Sequence, residues 1–596
     1  MKKYIYILFF ASIGTFLSCK KGELNRFPQT SISPNLFFNN ESDLNLYING
    51  LLSQPSKSSY FSQEEQSTDN LSTTGAVELK NIMLGNTNAQ NINTGWSWSR
   101  LRDINYFLEN YSKAQVSEAI KNHYAGLARY YRAMFYLDKV KRFSDVPWYS
   151  GTLNPGDPAL LNPRDSRALV VDNIMADLDF AYNNVRESVA TGTPGKWAVA
   201  TFYSRAALYE GTFRKYHSEL NLASTANTFL QTAARVSGEI IASKKFTIYN
   251  TGKPNQDYAT LFSSPDLTTN SEVILTNIFD NTLNKIQSAN NDAFGNYEQS
   301  PSKDLIQSYL MADGSRFNNV ANYDKLGFVD EFKNRDPRLS QTIVYPGWIR
   351  VPATTAYVQL LSKNFSGYHQ LKGYINSTDN ATIYNVDFPV YRYAEVLLNY
   401  AEALAELGTL TQTNLDESVN LLRRRAGLPN LNMGAANANP DLFLVQQYPN
   451  VSGNVGVILE IRRERRVEFA FENTRFDDLM RWKVGKILTK TPEGMYFSGL
   501  GKFDLTGDGI DDIVLIDYTT SAPAVAELNS LGVKLVYYRA GPIGSGAPII
   551  LKNGFSGGNI ITDNLVRTFE EPKFYYRPIP QSDVTLNPNL KQIFGW

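Results

Sequence analysis

Residues 388–408, FPVYRYAEVLLNYAEALAELG, decide the fold class of this chain. Tyr393, Val396, Leu397, Tyr400, Ala401 and Leu404 recur at three- and four-residue spacing, which places them on one face of a helix. Gly408 follows as a C-terminal stop, since a residue without a Cβ enters the left-handed region at little cost. The spacing predicts an amphipathic helix over 391–407. Small and aromatic helix faces allow a stack of helix pairs. No repeat at the tetratricopeptide period of about 34 residues is present to fix one.

Working outward, the same period predicts helices over Ala125–Lys141, Leu169–Val185, Trp197–Phe213, Leu415–Ala426 and Val457–Lys486. Asp165-Ser166 offers an N-cap to the second of these, and Pro194-Gly195 precedes the third. Residues 246–380 carry many Asn, Ser, Thr and Gly and read as loops with few regular elements. Between 495 and 570, Gly and β-branched residues predict strands and turns. The expected fold is mainly α: helix pairs in one discontinuous globular domain, with long loops and a small β-rich insert at 495–570. The expected divisions are 1–18, a signal peptide; 19–40, a tether; 41–245, an N-terminal helical region; and 246–596, a C-terminal region that includes the insert.

The first division rests on Met1–Ser18. Lys2-Lys3 opens it, an apolar run from Tyr4 to Phe10 follows, and small residues precede Cys19. The run falls short of the ~20 residues that a membrane helix needs, so it reads as a secretory signal. Leu17-Ser18-Cys19 is similar to a bacterial lipoprotein box, although Phe16 stands where an aliphatic residue is usual. Cys19 is the single cysteine of the chain, so no intramolecular disulfide forms. Acylation of its sulfur would anchor the protein by about 0.8 kcal/mol per buried CH₂.

Charge excludes one large class of partners. Without Lys2 and Lys3 there are 56 Lys+Arg against 58 Asp+Glu, a net of −2. A protein that binds nucleic acid through its overall field is basic, so that reading fails. Near-neutrality suits an uncharged ligand such as a sugar.

Several stretches resemble the SusD/RagB family, in the order that family uses. They are YYRAMFYLDKVKRFSDVPW (130–148), NRDPRLSQTI (334–343), the 388–408 helix, LRRRAGLP (422–429), ILEIRRERRVEFAFENTRFDDLMRWK (458–483) and RPIPQSDVTLNPNLKQIFGW (577–596). The resemblance implies tetratricopeptide-like helix pairs and a lipoprotein of the outer membrane facing the exterior. It also implies a partner, a SusC-like TonB-dependent transporter barrel. In that picture the protein catches an oligosaccharide, or another nutrient, and delivers it without chemistry and with no required cofactor.

Arg462, Arg463, Arg465 and Arg466 share a helical stretch with Glu460, Glu464, Glu468 and Glu472, so i,i+4 ion pairing is expected. His123, His217 and His369 show no metal-ligand spacing. The turn Asp504-Leu-Thr-Gly-Asp-Gly-Ile-Asp-Asp512 places Asp504, Thr506, Asp508 and Asp512 where calcium finds oxygens. A metal-free Asx/Gly turn is the alternative.

Ligand capture needs exposed rings beside amides. The stretch ANNDAFGNYEQSP (289–301) offers Asn290, Asn291, Phe294 and Tyr297, at the place where the family tends to put a ligand loop. Tyr60 and Trp96, in the Ser/Thr-rich stretch 58–97, form a second candidate. Two other functions compete: a surface-anchored glycan-degrading enzyme, which needs only two carboxylates at the right separation, and a helical-repeat scaffold that binds protein.

Overall fold

The computed structural model describes residues 37–52, 65–73, 75, 77–287, 290, 294, 300–377 and 385–596. Cys19 and the signal segment lie outside the described residues, as do Tyr60, Asn291 and Tyr297.

Six long helices form the N-terminal half: α1 (Glu41–Leu51), α2 (Ser99–Asn110), α3 (Glu118–Phe143), α4 (Arg167–Asn184), α5 (Lys196–Tyr216) and α6 (Ala226–Ser243). Consecutive helices pack pairwise, α3 on α4 and α5 on α6. Ser166 caps α4 by accepting from the Leu169 amide, as its position predicts. Helix α3 starts earlier than its apolar period suggests, because the Ser117 side chain accepts from Ile120 N and opens the helix at Glu118. Helix α5 is buried nearly all round, with Ala198, Phe202, Ala206 and Phe213 at 5% exposure or less. A helix without a polar face belongs in the middle of a stack.

The chain then forms β1 (Val273–Asn277) and the short α7 (Lys303–Ser308), followed by β2 (Phe388–Arg392), which pairs antiparallel with β1. Strand β2 runs directly into α8 (Tyr393–Leu407), the helix that the 388–408 period predicts. Gly408 ends it at φ 76°. Helix α8 packs on α6 and α5, so one hydrophobic core joins Phe38 to Leu590.

Helix α9 (Val419–Arg425) precedes α10 (Val455–Glu468) and α11 (Arg475–Arg481). The single helix expected over Val457–Lys486 is broken at Phe471 (φ 64°) and Asn473 (φ 59°). Positive φ at two non-glycine residues cannot continue a right-handed helix.

The insert is β-rich as expected. Strands β3 (Glu493–Phe497), β4 (Gly501–Phe503), β5 (Ile513–Asp517), β6 (Val536–Gly541), β7 (Ile549–Ile550) and β8 (Gly558–Ile561) follow in order. Strands β4-β5-β6-β7 form one sheet, antiparallel between β4 and β5 and parallel across the remaining pairs. Strands β3 and β8 pair antiparallel, so the two ends of the insert meet.

Candidate functional site

Helix α10 carries the arginine run, and its arginines are buried: Arg462 is 0% exposed and Arg466 4%. The partners differ from the i,i+4 pairs that the sequence predicts. Arg462 pairs with Glu406, Arg465 with Asp478, and Arg466 with both Asp69 and Asp304. Glu468 receives Arg338 (2.9 Å), Arg392 (2.6 Å) and Arg425 (2.6 Å). Burial alone would raise its pKa. Arg425, Arg392 and Arg338 outweigh that and hold it well below the usual carboxylate range. These arginines are spent on folding.

The ionic core fixes one wall of a cavity of about 790 Å³. Asp304, in the first turn of α7, gives one oxygen to Arg466 and the other to Gln447 Nε2 at 3.3 Å. Lys303 and Gln307, one helical turn apart, line the same cavity. Tyr323 and Phe443 add half-buried rings, and the exposed Gln446 stands on the same wall as Phe443. The insert closes the far side through Glu493, Lys552 and Asn559.

Five amides line the cavity beside ten charged side chains, five lysines and five acids, and several of the amides keep an atom without a partner. Gln307 Nε2, Gln447 Oε1, Asn450 Oδ1 and Asn559 Oδ1 are buried and make no hydrogen bond. Leaving a buried donor or acceptor unmade costs roughly 1–3 kcal/mol each, so each such atom calls for a partner such as ordered water or a polar ligand. Two of the cavity acids, Glu493 and Glu571, are engaged. Glu493 accepts from Lys552 at 2.8 Å and from Asn559. Burial tends to raise its pKa, but Lys552 and Asn559 bring it below the ordinary value. Glu571 pairs with Lys486 at 2.9 Å and accepts from Tyr575 at 2.6 Å.

The residues singled out in the sequence fall elsewhere. Phe294 is 3% exposed, against the exposed face expected of it. His369 stacks on it at 3.9 Å, and Tyr374, Trp348 and Tyr357 surround it. Asn290 is also buried, and its side chain bridges both backbone groups of Ile375. The described part of the loop thus packs its ring inward. Trp96 is 9% exposed and meets Trp98 and Phe143 edge-on at 5.2 and 4.9 Å. It borders a separate, mostly apolar groove of about 370 Å³ beside Tyr149, Leu160 and Leu586. The 289–301 loop does lead into the cavity in sequence: Ser300–Pro301 pairs with Leu71–Ser72, and α7 starts at Lys303.

In the 504–512 turn, Asp504 accepts from Gly507 N (2.6 Å) and Gly509 N (2.8 Å), and Asp512 accepts from Leu505 N and Thr506 N. Burial, with the Asp504 charge added, raises the Asp512 pKa. Asp508 is exposed and accepts from Ile510 N. Two carboxylates and the Thr506 hydroxyl therefore converge. Among the described residues, no group of three or more His, Cys, Asp or Glu is spaced to hold a metal ion. No helix among them is long and apolar enough to cross a membrane.

This fold has known relatives. A SusD-like protein from Bacteroides fragilis superposes with a TM-score of 0.66 at 20% identity, covering 96% of this chain and 100% of its own. A structure described as a SusD-like carbohydrate binding protein, also from Bacteroides fragilis, gives 0.66 at 23% identity over 93% of this chain and 100% of its own. By sequence, SusD-like protein P2 of Formosa agariphila is 23% identical over 513 residues, 81% of this chain and 92% of the relative. The SusD family model matches residues 271–596, the span that holds α7 to α11, the arginine core and the insert. The chain belongs to the SusD family.

Proposed function

We propose that this protein captures a neutral, hydroxyl-rich glycan in the cavity of Gln307, Gln447, Asn450 and Asn559 and hands it, uncleaved, to a TonB-dependent transporter in the outer membrane. The observation that carries the reading is the set of unpaired amide atoms on Gln307, Gln447, Asn450 and Asn559. Sugar hydroxyls donate and accept, so they suit Nε2 and Oδ1 atoms alike. Tyr323 and Phe443 supply apolar faces for sugar C–H groups. A relative of the same fold is described as carbohydrate binding. Asn291, Tyr297 and Tyr60 are proposed as further ligand contacts.

The absence of cleavage is part of the proposal. Glycoside hydrolysis needs a carboxylic acid held protonated, with a raised pKa. The half-buried Glu493 and the buried Asp69, both in the cavity lining, are shifted the other way. Native electrophoresis through gels cast with soluble starch, laminarin, xylan or galactomannan tests both points at once. Retardation in at least one gel, with no reducing ends released, is the expected outcome.

Anchoring through acylated Cys19, on the exterior face, follows from the N-terminal lipoprotein box. Palmitate labelling that survives in wild type and vanishes in Cys19→Ala supports it. Co-purification of an outer-membrane barrel with the full-length chain tests the transporter partnership. Calcium at Asp504, Thr506, Asp508 and Asp512 is proposed as a brace for the insert, since a cation would relieve the repulsion between Asp504 and Asp512.

A further inference from the structure

Two aromatic rings on the insert are set up differently from the rest. Tyr518 follows strand β5, and Phe555 sits on the turn Gly554–Ser556, 37 residues later in the chain. Their ring planes lie within 17° of parallel, with centroids 6.3 Å apart. Phe555 is 44% exposed and Tyr518 is half-buried. A single exposed ring is ordinary. Two near-parallel rings from separate segments, both reaching solvent, present a joint apolar surface.

The backbone is built to hold that platform. Tyr518 N donates to Ala540 O at 3.1 Å, which fixes the start of its turn against β6. Gly541, the next residue of β6, leaves the room that the ring takes. A Cβ there would lie 2.7 Å from Tyr518 Cδ1. On the other side, Asn553 N donates to Gly557 O at 2.9 Å and Gly557 N to Gly554 O at 3.0 Å, closing the turn that presents Phe555. Neither ring contributes to the buried clusters of the core. Their placement therefore answers to something other than packing.

Position relative to the cavity says what that is. Lys552 and Asn559 line the cavity, and Phe555 lies between them in the chain. Three residues separate Phe555 from Lys552, a reach of at most ~11 Å of extended backbone. We infer that Tyr518 and Phe555 form an outer stacking subsite, on which a glycan chain already held in the cavity lays the face of a further sugar ring. This rests on the capture reading above and adds a substrate class to it: an extended oligosaccharide rather than a mono- or disaccharide. Parallel rings suit the C–H face of a pyranose, which offers no charge to pair and little to hydrogen-bond. Stacking there discriminates by chain length more than by sugar identity.

The test uses the full-length chain in detergent on an array of malto-, laminari- and xylo-oligosaccharide series, each from disaccharide to decasaccharide. Wild-type signal is expected to rise with length in at least one series. Phe555→Ala and Tyr518→Ala should each lose tenfold or more on the long members and leave the shortest retained members unchanged. Gly541→Ala should do the same with both rings present, by pushing the Tyr518 ring aside. Phe555→Tyr should restore the length dependence. Equal binding of every length by wild type, Phe555→Ala and Tyr518→Ala would overturn the outer subsite and leave capture in the cavity standing. Wild type retained by no member of any series would overturn both.

Discussion

Arg466 donates from Nη1 to Asp304 across 2.5 Å, joining residues 162 positions apart. That bond ties the arginine helix to the wall of the cavity. Arg466 also pairs with Asp69, so one guanidinium holds two carboxylates from distant segments. Arg466→Ala strands both of them. Removing one partner of a buried pair costs about 3–5 kcal/mol, and that loss is expected as a lower denaturation midpoint by circular dichroism. Arg466→Lys keeps the charge and loses the fork, so it should fall between the two. A midpoint unchanged in Arg466→Ala would show that the bond does not brace the fold.

Glu65 predicts a pH dependence. It is fully buried, and burial pushes its pKa up from 4.5 to about 7. Asn70 and Arg475 oppose that shift. A carboxyl with a raised folded pKa binds its proton more tightly folded than unfolded. Its stabilising contribution is complete below about pH 4.5 and disappears as pH rises through 7. The difference is about 3 kcal/mol at 1.36 kcal/mol per unit. Glu65→Gln mimics the protonated form and should flatten this part of the stability profile between pH 5 and pH 8 (a range of about 3 units). A wild-type profile with the same slope as Glu65→Gln would contradict the assignment.

Calcium predicts a thermal signature confined to the 504–512 turn. Added calcium should raise the melting temperature of wild type, and chelator should lower it. Asp504→Asn and Asp512→Asn should respond to neither. Isothermal titration checks the same point by heat of binding. Identical melting with calcium and with chelator in wild type would leave Asp504 and Asp512 as plain backbone caps.

Much of the helical fold was legible because it is local. The 388–408 stretch carries its period, its face and its stop within one segment, and α8 forms there with Gly408 at its end. Ser166 is read as a cap from a single position. The 504–512 turn is equally local, since its Asp side chains bond amides two to seven residues away. What escaped the sequence is what distant segments make together. Arg463 of α10 meets Glu460 on its own helix, yet Arg462, Arg465 and Arg466 pair with Glu406, Asp478, Asp69 and Asp304. No spacing rule points across 162 residues. Phe294 reads as a loop ring with small polar neighbours. Trp348, Tyr357 and Tyr374, more than 50 residues on, bury it.

The candidate cavity was invisible for the same reason. Gln307, Tyr323, Phe443, Gln446, Glu493 and Asn559 converge from five stretches with no common motif. Amides also give little sign of their role in sequence, because Gln and Asn are ordinary on any surface. Only the fold brings them, several with an unpaired atom, to one cavity.

Capture without cleavage in that cavity is tested most directly by affinity electrophoresis of Gln307→Ala/Gln446→Ala beside wild type. Neither side chain makes a hydrogen bond within the described residues, so the variant should melt as wild type does. Wild type slowed by a polysaccharide gel, the double variant running free, and no reducing ends from either is the predicted result. Equal retardation of both proteins, or sugar released by wild type, would contradict it.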